Sequence, residues 1–291
     1  MFFTGISDEA GLPIERQIQA HKKLGWQLLE LREVAFGLGR KGNITSVPGA
    51  TFKKVARKIA EAGLTLSCFS SAIANWARPI TGDFSVDVND LKRGIRRMKQ
   101  MHRLNTNFIR VMSYPNDKDH PLSESDWRRE AIRRMKILAQ MAKDGGVTLV
   151  HENCSGWGGQ SAENSNILLG EVNSPALKVV FDTGNPVTYG QDAWEYYLAV
   201  RKDIVYVHIK DARIVEGQVV YTYCGEGDGY VRRIVGDLLA KGYEGGFSIE
   251  PHLEAVIHAD QQAKDPQALY DSYVEYGKRF MRIVEEVKPK A

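Results

Sequence analysis

Cysteine is scarce in this chain of 291 residues: Cys68, Cys154 and Cys224 are all there are, far apart and without a CxxC pair. That usage excludes a disulfide scaffold and a thiolate zinc site, and it fits a reducing, cytoplasmic setting. Charge of one sign is also lacking. The 39 Lys and Arg face 36 Asp and Glu, and a net charge of +3 is too small to suggest a nucleic-acid surface. Lys92-Arg93 with Arg96-Arg97, and Arg128-Arg129 with Arg133-Arg134, recur at helical spacing and read as solvated helix faces. No apolar run approaches the roughly 18 residues of a membrane span, and the opening MFFT leads into a strand rather than a basic leader, so no membrane partner is expected. No stretch reads as a linker, so residues 1–291 are expected to form a single domain.

What the chain does have is alternation. Short apolar runs predict strands at Phe2–Ser7, Trp26–Leu31, Leu64–Phe69, Phe108–Met112, Val147–Val150, Val179–Phe181, Val205–Val207 and Phe247–Ile249. Amphipathic stretches between and after them predict helices, from Pro13–Leu24 at the start to Pro266–Val287 at the end, with Gly25 and Gly63 at two helix ends. A Gly-rich loop is expected over Gly37–Gly49 and a small hairpin within Ile209–Tyr223, around Glu216-Gly217. Eight strand and helix pairs in strict order predict a (β/α)8 TIM barrel, with an open doubly wound sheet as competitor.

Strand ends decide between them. The stretch VTLVHENCSGWG passes from apolar residues to Glu152, and three later strands run in the same way into Asp182, His208 and Glu250. Neighbouring barrel strands lie about 4.8 Å apart, so four such side chains from consecutive strands can meet at one point. Three carboxylates and an imidazole suit one divalent metal; ligand type points to Mn2+ first, with Mg2+, Co2+ or Zn2+ compatible. His151 alternates to the opposite side of its strand from Glu152. The GEGDG run from Gly225 to Gly229 lacks the Lys and Ser/Thr of a phosphate loop and reads as tight turning.

His151-Glu152-Asn153, Phe181-Asp182-Thr183-Gly184-Asn185, His208-Ile209-Lys210-Asp211 and Ser248-Ile249-Glu250-Pro251 resemble the matching signatures of the xylose isomerase-like TIM barrels, the sugar phosphate isomerase/epimerase superfamily. The resemblance implies one metal held by Glu152, Asp182, His208 and Glu250. It also implies that Glu152 and Glu250 act as the acid/base pair, as in ketose 3-epimerases. The expected activity is a metal-dependent isomerase or epimerase of a small keto sugar or polyol, working through the enediolate formed when a proton leaves the carbon next to a carbonyl.

The same first step can end in loss of a β-hydroxyl or a β-linked aglycone, so a dehydratase or lyase is the rival reading. Departures from the ketose 3-epimerases point away from a free ketose and toward a different hydroxylated substrate: Asn185 stands where they carry a histidine, Gly158 where they carry a glutamate, and Arg213 lies near but not at the spacing of their substrate-binding arginine. Lys210-Asp211 resembles the pair of inosose dehydratases, and Lys210 is expected to polarise or protonate a substrate oxygen or else to form a salt bridge to Asp211 or another carboxylate. Trp157, flanked by glycines, is expected to stack on a sugar face or pack a lid; Trp76, Arg78, Tyr114 and His252 are further candidates for the pocket wall. Two readings from other classes are an endonuclease of the related metal-cluster barrel type, which the seven scattered histidines disfavour, and a non-catalytic sugar-binding barrel. A homodimer or tetramer is compatible with exposed barrel helices.

Overall fold

The computed structural model describes residues 1–37, 39–254 and 265–289. Eight parallel strands make one sheet: β1 (Phe2–Gly5), β2 (Leu28–Leu31), β3 (Thr65–Ser70), β4 (Leu104–Ser113), β5 (Thr148–Gly156), β6 (Leu177–Asp182), β7 (Ile204–Ile209) and β8 (Gly246–Ile249). From β2 to β8 each strand pairs with the next in the chain, and β8 returns to β1 in a register from Phe2↔Gly246 to Gly5↔Ile249. The seam between β1 and β2 is joined by one bridge, Ile6 opposite Glu30, and by the Thr4 hydroxyl, which donates to the Leu28 carbonyl at 3.0 Å. The sheet is the TIM barrel that the alternation predicts, and curling it into a ring removes the long open edges that an open sheet would leave.

The helices are α1 (Ile14–Lys23), α2 (Gly49–Glu61), α3 (Phe84–Met98), α4 (Glu124–Gly145), α5 (Ala162–Val172), α6 (Ala193–Val200), α7 (Val231–Ala240) and α8 (Pro266–Val287). Their apolar stripes face the sheet: α2 buries Phe52, Val55 and Ile59, and α7 buries Val231, Ile234, Val235 and Leu238. Side chains of Asp83, Ser123, Ser161 and Asp192 accept backbone N–H groups in the first turns of α3 to α6 and so fix where these helices start. Gly146 ends α4 at φ 71°, a conformation strained for any residue with a side chain.

Period-2 alternation then assigns each strand residue a side. Leu149, Val179, Phe181, Val207 and Phe247 point outward and are buried under the helices. Cys68, Val150, Val180 and Tyr206 point inward and form an apolar plug inside the barrel. Two residues further along the same strands, on the same inward side, come Glu152, Asp182 and His208. The site is therefore a polar layer resting on an apolar one, at the C-terminal ends of the strands.

The hairpin expected within Ile209–Tyr223 is present as Ala212–Val215 paired with Gln218–Tyr221. The segment expected as a Gly-rich loop instead carries a second hairpin, Glu33–Phe36 with Arg40–Asn43, while Leu38 lies outside the described residues. Its sequence has little strand propensity. It is tied to the barrel rim by the N–H of Ala35 on the Leu12 carbonyl (3.0 Å) and the N–H of Ile44 on the Arg32 carbonyl (2.8 Å).

Candidate functional site

Glu152, Asp182, His208 and Glu250 each offer a ligand atom, and these atoms lie within 4.8 Å of one another, all buried. Asp182 Oδ1 accepts the N–H groups of Gly184 (2.8 Å) and Asn185 (2.7 Å) at the short helical turn Asn185–Thr188, which leaves Oδ2 for the centre. His208 Nε2 lies 3.0 Å from Glu30 Oε1, so this nitrogen carries the proton and Nδ1 faces Glu152 at 3.3 Å. Glu30 is itself fixed by the hydroxyls of Ser70, Ser248 and Tyr206.

Three permanent cations share this space. Arg110 Nη1 lies 2.6 Å from Glu152 Oε2, and Arg32 Nη1 lies 2.7 Å from Glu250 Oε1 while its other nitrogens hold Asp8 and Glu9. Lys210 Nζ sits between Asp182 Oδ2 (2.9 Å) and Glu250 Oε2 (3.1 Å). Burial would raise Glu152, but Arg110 and His208 outweigh it and hold the carboxyl below its ordinary range. Glu250 is lowered in the same way, with Lys210 the strongest of its cations, whereas burial wins at Asp182 and raises it. Burial lowers His208, yet Glu30 and Glu152 together carry it up to about 10.

The charges do not balance. Asp8, Glu9, Glu30, Glu152, Asp182 and Glu250 are six buried carboxylates against the permanent charges of Arg32, Arg110 and Lys210. A buried negative excess is costly unless compensated, and the field that favours an imidazolium at His208 favours a divalent cation equally. The residues therefore fit a metal: the donors are oxygens and one nitrogen, close together, oriented from behind, and short of positive charge.

A cavity of about 310 Å³ opens onto this centre, lined by Glu152, Asn185, Lys210, Glu250 and His252, with Trp76, Met112, Tyr189 and Tyr221 among the wall residues. Asn185 Nδ2 lies 3.3 Å from Glu152 Oε1, and His252 Nδ1 lies 2.8 Å from Glu9 Oε1. Lys210 forms the salt bridge expected of it as one of two roles, with Asp182 and Glu250 rather than with Asp211, which instead accepts backbone N–H groups from Gly225, Gly227 and Gly229. Those contacts explain the GEGDG run as a wrap around a carboxylate of the chain itself. His151 is buried on the outer side of its strand, and burial pushes it down to about 4.

Two expected substrate residues lie elsewhere. Trp157 is 1% exposed, its indole N–H donates to Glu124 at 2.6 Å, and Arg128 lies over its ring. Gly156 at φ 101° turns the chain toward α4 and carries Trp157 away from the cavity. Arg213 is exposed on the hairpin, which leaves the barrel mouth after Asp211. Neither Arg78, paired with Asp87 and Asp90, nor Tyr114, packed on Phe84 and Arg134, lines the cavity.

Sequence reasoning missed Arg110, Arg32, Glu30 and Glu9 as parts of the site. Arg110 carried a readable signal, a lone cation between Ile109 and Val111 inside an apolar strand. Glu9 had none, because only the β1–β8 pairing brings it to His252.

The inosose dehydratase of Geobacillus thermodenitrificans is 28% identical over 156 residues, which cover 48% of this chain; the match spans only 52% of that enzyme, about half its length. Among solved structures, a D-tagatose 3-epimerase-like protein superposes with a TM-score of 0.71 at 15% identity, covering 98% of this chain and 99% of that one. A xylose isomerase-like TIM barrel protein from Mycobacterium smegmatis in complex with magnesium superposes at 0.68 and 14% identity, covering 99% and 97%. Residues 18–273 match the family described as xylose isomerase-like TIM barrel, and with the closed eight-stranded sheet and the converging strand ends the chain belongs to that family.

Proposed function

We propose that this chain is a divalent-metal-dependent enzyme that removes the proton next to the carbonyl of a keto sugar or keto polyol and expels an oxygen substituent from the neighbouring carbon. Lys210 carries the reading: its ammonium stands inside the cavity 3.1 Å from Glu250, and a proton donor beside the carboxylates is what a departing oxygen requires. Glu152, Asp182, Glu250 and His208 through Nδ1 would hold the ion, Mn2+ by ligand type; magnesium is the ion in the M. smegmatis relative. Bound there, it would polarise the substrate carbonyl and stabilise negative charge beside it.

Arg110 keeps Glu152 ionised at neutral pH, so Glu152 is assigned as the base, and Asn185 helps to aim its carboxylate. The proton goes to Glu152 and the C–H electron pair becomes the new C=C bond. The C–O bond then breaks with its pair on oxygen, and Lys210 supplies the proton that neutralises it. Trp76 and Tyr221 offer flat faces to the substrate ring, and His252 a polar edge. The dehydratase similarity points the same way.

Epimerisation is the second reading, favoured by one observation: Glu152 and Glu250 come from strands with β6 and β7 between them, so two carboxylates could serve opposite faces of one carbon. Incubating the Mn2+-loaded protein with inososes, ketohexoses and keto-glycosides in D2O, followed by NMR, separates the outcomes. The proposal expects deuterium next to the carbonyl together with an unsaturated ketone. Lys210→Met should keep the exchange while slowing elimination by about a hundredfold or more. An intact, inverted polyol would select epimerisation, and no exchange on any substrate would overturn both.

A further inference from the structure

The hairpin Ala212–Val215 and Gln218–Tyr221 exposes four branched aliphatics within eight paired residues: Ile214 (46%), Val215 (44%), Val219 (38%) and Val220 (42%). Alternation puts Ile214 and Val219 on one face and Val215 and Val220 on the other, so both faces are apolar. Its base is anchored, with Ala212 buried against Val187 and Ala193 and the Tyr221 ring 5.0 Å from His252. Beyond the base, a two-stranded hairpin with apolar faces is a marginal object in water.

The turn is two residues long, Glu216 at φ 50° and Gly217 at φ 76°. In such a hairpin the residues flanking the turn share both ladder bonds, and the next pair, Ile214 and Val219, directs its N–H and C=O groups outward along the two edges. Among the described residues no other element takes up these groups. Nor do Arg213 and Glu216 have an ion-pair partner among the described residues.

We infer that this hairpin is a dimerisation edge whose occupant is the same hairpin of a second copy, the segment Arg213–Val215 pairing antiparallel with itself about a twofold axis at Ile214. Antiparallel pairing through that residue exchanges two Ile214 backbone bonds and sets the two Ile214 side chains beside each other on one face of a four-stranded sheet. It also sets Arg213 opposite the partner's Val215 and one residue from the partner's Glu216, once on each side of the axis. Self-complementarity of this kind is what a twofold interface demands, and it gives both unpaired charges an opposite charge to meet.

Light scattering after size exclusion, across the micromolar range, tests it on the full chain. Wild type is expected at twice the chain mass and Ile214→Lys at the chain mass, with unchanged circular dichroism showing that the variant folds. Arg213→Glu should weaken the dimer about tenfold, and the swap Arg213→Glu with Glu216→Arg should restore it. A monomeric wild type, a dimer indifferent to Ile214→Lys, or a swap that fails to restore association would each overturn the inference.

Discussion

His21 shows what burial does to a single ionisable residue here. Its Nδ1 donates to the Leu28 carbonyl and its Nε2 accepts the Tyr273 hydroxyl at 2.9 Å, so the ring is satisfied as a neutral group. Burial pushes its pKa from 6.5 down to about 4, although the Leu28 carbonyl pulls the other way. The unfolded chain therefore binds a proton that the folded chain refuses between those values, and stability falls as the pH drops through that window. By pH 4.5 the loss from this residue amounts to about 3 kcal/mol, at roughly 1.4 kcal/mol for each unit below the unfolded pKa. Urea unfolding of wild type and His21→Gln, compared at neutral pH and at about pH 4.5, should show the difference shifting in favour of the variant by that amount. A difference independent of pH would mean that His21 is not held neutral. Arg110 is the opposite case, a buried charge kept because Glu152 meets it at 2.6 Å. Its place in an apolar strand was legible in the sequence; its partner, 42 residues away, was not.

The loop after β7 shows how an element is shaped by one side chain. Asp211 receives the N–H groups of Ala212 (3.0 Å), Gly225 (2.8 Å), Gly227 (3.0 Å) and Gly229 (2.9 Å), and burial still raises its pKa against those four donors. A Cβ on Gly227 would stand 2.4 Å from Asp211 Oδ1 and 2.5 Å from the Ala212 carbonyl, so only glycine fits the wrap. Gly227→Ala is expected to destabilise by about 2–3 kcal/mol through overpacking against backbone. Gly236→Ala in α7, where the nearest atom is 3.6 Å away, should stabilise by about 0.5–1 kcal/mol through helix propensity. Denaturant midpoints of the two variants check this, and equal effects would show that the wrap is not tight. The sequence showed the glycines and a turn, but a glycine pattern does not say which group a loop encloses.

At the scale of the whole molecule, the negative excess at the barrel mouth ties stability to a cation. A divalent ion that binds the folded chain alone stabilises it by about 2.7 kcal/mol at a hundredfold excess over its dissociation constant. The thermal midpoint should therefore rise with Mn2+ and fall with chelator in wild type, and respond far less in Glu250→Gln; indifference of wild type to both would remove the metal from the site. The described helices include none long and apolar enough to cross a membrane. By itself the sequence determined the barrel and the four converging side chains, because helix and strand periods and the polar residue at each strand end are local patterns, readable within a few positions. Tertiary structure alone decided the rest: Arg32 meets Glu250 across 218 residues, and Trp157 and Arg213 swing away from the cavity because backbone direction at Gly156 and after Asp211 sends them there. Contacts across a closed ring depend on which strands become neighbours, and no spacing along the chain encodes that.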